Sequence, residues 1–225
     1  MKATTGDVLA SDGKRPDARR AGILFAFGSL LFLLLTTVAE SIYPGFSMQN
    51  DAISDLAALG TSTTAIEETA ILGLAICWMA GAYFLFRNTG RRGLMVLNVV
   101  PGAGYLLAGL SPENVNLAVH SAGALLAFPL GAVAVMLSCR LVRGPLRYLA
   151  VGLGALSLLA TLMIFVGYRI AGPCGTCSGQ SAYDQSLDKL ALGLGGWESM
   201  IVYPVLIWLV AFGGYLMAKE SEGPR

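Results

Sequence analysis

Six apolar stretches, at 21–39, 66–86, 93–110, 117–138, 148–171 and 196–218, constrain this chain more than any motif in it. Each approaches the ~20 residues a helix needs to cross a ~30 Å hydrocarbon core, where a helix satisfies its backbone N–H and C=O groups without water. With 55% hydrophobic residues, 13% charged residues and a mean hydropathy of +0.66, the chain lies outside the range of ordinary soluble domains. The expected fold class is all-α: a polytopic transmembrane bundle of six helices. Residues 1–20 read as a cytoplasmic leader, 21–218 as the transmembrane domain and 219–225 as a cytoplasmic tail.

The gaps between the stretches are alternately basic and nearly free of basic charge. Thirteen of the fifteen Lys and Arg residues fall on one side; Arg169 and Lys189 fall on the other. The positive-inside rule then puts both termini in the cytoplasm of a multi-pass cell-membrane protein. Thr37 and Ala39 could mark signal-peptide cleavage, but the apolar run and its leader are both long for one, so Arg19 and Arg20 read as the cytoplasmic stop of an uncleaved helix. The net charge of +1 gives no partner signal, and no nucleic-acid partner is expected.

Small residues recur within the spans, among them Gly28, Gly104, Gly123 and Gly154, where they let helices approach closely. Pro101, Pro129 and Pro204 fall inside the third, fourth and sixth spans and should bend them.

Most polar chemistry lies in the two long outward connections, 40–65 and 172–195. In the first, Tyr43-Pro44-Gly45-Phe46-Ser47 reads as a turn, Asn50 as a helix cap, 51–59 as a short amphipathic helix and Gly60 as its C′ residue. In the second, Ser181 and Asp184 cap another short helix that runs to Gly193. Both connections contain D-x-x-x-D-x-x-A-L-G, with Asp51 and Asp55 in one and Asp184 and Asp188 in the other. Internal repetition and convergence of capped helices both explain the match. Spacing of four sets each Asp pair on one helix face, turned either to water or inward toward a cation, a shared proton or a basic partner.

Ionisable groups from several stretches reach the same outer slab: Glu40, Glu67, Glu68, Glu113, His120 (the only histidine) and Glu198. Glu67, Glu68 and Glu113 read as headgroup-zone residues; His120 and Glu198 sit deeper, where ionisable side chains are costly and mark function. The candidate catalytic set is His120 as general base with Glu198, Asp55 and Glu40. Tyr43, Ser47, Ser54, Trp197 and Tyr203 are the candidate substrate-binding side chains. One histidine excludes a three-His zinc site. No cofactor is predicted; a carboxylate-rich site would suit Mg²⁺ or Ca²⁺, so a divalent cation stays a minority possibility.

Cys77 and Cys139 lie within or at the end of spans and read as packing residues. Cys174 and Cys177 form an outward C-x-x-C, open between a disulfide that pins the loop and a redox pair.

Tyr43-Pro44-Gly45-Phe46-Ser47 followed by Ala52-Ile53-Ser54-Asp55-Leu56, with Glu40, His120 and Gly196-Trp197-Glu198, resembles the prokaryotic membrane family called domain of unknown function 998. The resemblance covers roughly 21–218 and implies the six-helix topology and this choice of residues, without an activity. The family's last motif is usually Glu followed by Arg; here Ser199 follows Glu198, so a charge pair would need Arg169 or Lys189. A fainter similarity links the chain to the six-helix Frag1/DRAM/Sfk1 group.

Three function classes follow. The favoured one is a lipid-headgroup-binding or lipid-modifying protein with an outer-leaflet site and a membrane lipid as partner. The second is a structural protein whose outward helices dock a protein partner. A small-solute or proton-coupled transporter is third, since Asn98, Ser157 and Thr161 are the span polar groups and no inner-half carboxylate joins them.

Overall fold

The computed structural model describes residues 15–171 and 192–221. Cys174, Cys177, Ser181, Asp184, Asp188 and Lys189, and with them the short helix expected in the second connection, lie outside the described residues. Six α-helices form: α1 Arg15–Ile42, α2 Thr64–Thr89, α3 Arg92–Leu110, α4 Glu113–Ser138, α5 Leu146–Ala171 and α6 Leu194–Ser221. All six are long and apolar enough to cross a membrane. Each contains its expected span and extends it by between zero and six residues at either end.

Turn chemistry sets the joints. Gly90 takes the left-handed conformation (φ 68°) that closes α2, its N–H bonding Phe86 O at 2.7 Å, and Arg91 completes a two-residue link to α3. Asn116 interrupts α4 with non-helical backbone (φ −152°, ψ 86°), and its Oδ1 accepts the Val119 N–H at 3.2 Å. Asn116 is thus the N-cap of the long part of α4, which starts at Leu117 as its apolar run does. Pro101, Pro129 and Pro204 lie inside α3, α4 and α6.

Consecutive helices pack side by side, and α6 returns to α1 to close a ring. Glycine makes the closest seams. A Cβ at Gly104 would stand 2.6 Å from Ala127 N and Gly123 O, and one at Gly22 2.6 Å from Gly213 O. These backbones touch where any larger side chain would hold them apart. Aromatic rings fill the core: Trp208 stacks on Phe212 (centroids 5.8 Å apart), Phe25 meets Phe212, and Trp78 packs against Tyr105. Two polar groups in the core find partners across helices, Trp78 Nε1 donating to Asn98 Oδ1 (3.3 Å) and Ser157 Oγ to Ile201 O (2.7 Å), whereas buried Ser29 Oγ has none among the described residues. By contrast, α5 turns Leu159, Leu162, Phe165 and Val166 outward, the pattern of a lipid-facing helix.

Residues 43–63 lie across one end of the ring as a lid. The expected α-helix over 51–59 is instead a 3₁₀ helix at Ile53–Ala57, and Asn50 is not its cap. Asp51 turns back to accept the Ser47 N–H (2.7 Å), while Asp55 accepts the Ala52 N–H (2.7 Å) and so ties the first turn. Asp51 and Asp55 therefore do not share a helix face. Ile53, Leu56 and Ala57 plug the ring, buried to 3% exposure or less. Gly60 has a positive φ (94°) but is not the helix's C′ residue, because the helix ends at Ala57 with Ala58 as its C-cap and Gly60 stands two residues beyond that cap.

Candidate functional site

The site is assembled where the lid meets the helix ends. Glu198, one turn into α6, accepts the Ile53 N–H on Oε2 at 2.6 Å, and the Ser54 N–H is directed at the same carboxylate. It caps the 3₁₀ helix from 145 residues away in sequence. Ser54 Oγ donates to Glu113 Oε2 (3.2 Å). Asn114 and Leu59 exchange a reciprocal pair, Leu59 N–H to Oδ1 (2.9 Å) and Nδ2 to Leu59 O (3.0 Å). The start of α6 lies against the lid backbone, with Gly196 N donating to Gln49 O (3.2 Å). Added Cβ atoms at Gly193 and Gly195 would collide with the carbonyls of Gln49 and Asp51, so these glycines are what let the two backbones meet.

His120 is buried and sits one turn past the Asn116 cap. The expected carboxylate neighbour is absent from its hydrogen bonds: Nδ1 lies 3.2 Å from both Ala108 O and Ser111 O, where α3 ends. Carbonyls only accept, so Nδ1 carries the proton and terminates α3. That tautomer leaves the Nε2 lone pair as the ring's basic atom.

Beneath the lid is a cavity of about 30 Å³ whose lining residues include Ser54, Tyr105, His120 and Glu198 as well as Phe32, Ile71 and Phe128, with a surface that is almost wholly apolar. Such a space holds one or two water-sized species. His120 and Glu198 thus share a cavity without sharing a hydrogen bond.

A second polar group adjoins it. Tyr203 OH donates to Glu40 Oε1 (3.1 Å) with Ser199 beside the phenol, and Thr36 Oγ1 donates to Glu67 Oε1 (3.0 Å). Glu67 is 0% exposed, because α2 turns it into the ring. Glu113 is likewise half-buried and engaged by the lid, whereas Glu68 stays half-buried without a bond to it. Glu67 lies within electrostatic reach of Glu40 and Glu198, Glu198 within that of Asp55, and Asp55 within that of Glu113. These five carboxyl groups therefore form one connected series, with Asp51 also within reach of Asp55, and none of the five is ion-paired with a described residue. Arg169, the described alternative to the family's usual Arg, is exposed and not part of it.

Asp55, in the lid, is pushed up to about 7. Burial is the largest cause, followed by the hydrogen bond and the charge of Glu113; the Ala52 N–H opposes them. Two carboxyl groups this close share a proton more readily than they hold two negative charges. No three His, Cys, Asp or Glu side chains among the described residues converge in a metal-binding arrangement.

Of the other candidates, Tyr43 packs edge-on against Phe46 (centroids 6.1 Å apart), and Ser47 braces the lid turn, its Oγ accepting the Asn50 N–H. Neither lines the cavity. Trp197 is half-buried, with its Nε1 buried and without a partner among the described residues. Sequence reasoning missed Tyr105, Thr36 and Asn116. Asn116 had a readable signal, an Asn directly before an apolar run; Tyr105 and Thr36 had none, since helical rotation alone turns them inward.

The chain belongs to the family described as "Protein of unknown function (DUF998)", whose model matches residues 26–215. No curated protein and no solved structure matches it.

Proposed function

We propose that this member of the family binds a membrane lipid through an amine-bearing headgroup, in the outer-leaflet cavity beneath the lid. The observation that carries the reading is the series Glu40, Glu67, Glu198, Asp55 and Glu113, buried or half-buried at one end of the ring with no described basic partner. Burying carboxylates without compensation is costly, so such a series favours a cationic ligand. At about 30 Å³ the cavity has room only for water-sized species. A headgroup therefore enters when the 3₁₀ helix lifts and Glu198 exchanges the Ile53 N–H for the ligand's ammonium. If the bound lipid is also modified, His120 Nε2 is the base in position, held by the Ala108 and Ser111 carbonyls.

The test is binding of delipidated full-length protein to nanodiscs containing phosphatidylethanolamine or, separately, phosphatidylglycerol. Preferential binding of the amine lipid, lost in His120→Ala and Glu198→Gln variants that keep their helix content, is the expected result. Equal binding of both lipids, or full binding by both variants, rejects the reading.

A non-enzymatic, structural role is the second reading. It is favoured by the fact that Glu198, Asp55 and Asp51 all accept backbone N–H groups of the lid. Transport has less support, because Asn98, Ser157 and Thr161 are satisfied by neighbouring side-chain or backbone groups.

A further inference from the structure

Glu67 differs from the other acids of the series in having no exposure and one oxygen without a partner. Thr36 Oγ1 occupies Oε1 at 3.0 Å, while Oε2 is buried and unpartnered among the described residues. The titratable groups that surrounding elements bring to this end are Glu40 from α1, Tyr105 from α3, Asp55 from the 3₁₀ helix, and Glu198 and Tyr203 from α6, with Glu68 beside it on α2. None is a cation. An ionised Glu67 would stand without a counter-charge among the described residues and would add to the charges of Glu40 and Glu198. Nor is there room for a bulky ligand, because Glu67 does not line the cavity.

We propose that Glu67 is a proton-binding site, its ligand H⁺ itself, occupied while the lid is closed. A proton needs no volume, and a neutral hydroxyl without an acceptor is far less costly in the membrane than an unpaired charge. Thr36 bonds Oε1, which makes Oε1 the carbonyl oxygen and Oε2 the hydroxyl. When the lid lifts and water reaches Oε2, the O–H bond breaks, its electron pair stays on Oε2, and the proton passes to water as hydronium. This goes beyond the headgroup reading and does not depend on which ligand fills the cavity.

Infrared difference spectroscopy of the full-length protein in nanodiscs, stepped between acid and alkaline pH, tests it. The expected result is a protonated-carboxyl C=O band that is lost in Glu67→Gln and moves to higher frequency in Thr36→Val, where the carbonyl loses its hydrogen bond. Identical spectra for wild type and Glu67→Gln overturn the proposal. If Glu67→Gln does not fold, Thr36→Val alone decides: a shifted band supports the site, and an unmoved spectrum overturns it.

Discussion

At one end of the bundle Asp17 is buried against two arginines, with Arg87 Nε at 3.1 Å and Arg20 Nη1 at 3.3 Å, and Arg20 also lies over the Phe84 ring. At the lid end, five carboxyl groups are held by hydroxyls and backbone N–H groups, with no described cation. The first arrangement joins α1 to α2 through partly exposed guanidinium groups, which water and salt can reach. The second is sealed by a segment that depends on the acids for its own hydrogen bonds. Buried acid is therefore a staple at one end and a latch at the other.

The comparison breaks most sharply at Glu198. Glu198→Ala removes a charged acceptor and orphans the Ile53 N–H, for an expected loss of about 1–3 kcal/mol. Hydrogen exchange over 53–57 should accelerate while the opposite end keeps its protection. Uniform acceleration across the helices would mean that the lid is not a separate latch.

A smaller effect is expected from pH. Because Asp55 is raised from 3.8 to about 7 in the folded state, it binds its proton more tightly folded than unfolded. Its contribution is fully present below 3.8 and is lost as pH rises through about 7. Lid protection should fall across that interval in wild type, and Asp55→Asn should flatten the profile. An unchanged profile in the variant would assign the pH response elsewhere in the series.

The smallest effect is expected at the arginine-rich end. With Arg20 and Arg87 about half exposed, Asp17→Asn should cost no more than about 1 kcal/mol, and the difference from wild type should shrink with added salt. Thermal unfolding at low and high salt measures it; a large, salt-independent loss would make the two ends alike.

The helices were legible because twenty apolar residues leave few other options, although the Asn116 cap of the long part of α4 went unread. The lid was not, although its residues were singled out. Asp51 and Gly60 suggest an α-helix locally, yet Ser47, Ala52 and Glu198 take the hydrogen bonds that would have decided it, and Glu198 is far away in sequence. Glu67 and Glu68 show the same limit: a rotation of about 100° per residue separates an acid turned fully inward from one at the edge, and adjacency at a helix mouth does not say which is which. His120 and Glu198 were found by the cost of placing them in a membrane, but the carbonyl partners of His120 carry no sequence signature.

The ring is completed only when α6 reaches α1, and the same helix brings Glu198 to Ile53. During synthesis the lid emerges well before Glu198 exists, so the nascent chain holds an unlatched segment over an open crescent of helices. The last of the described helices is thus the one that finishes both the wall and its cover, and a chain stopped before Leu194 would lack each for the same reason.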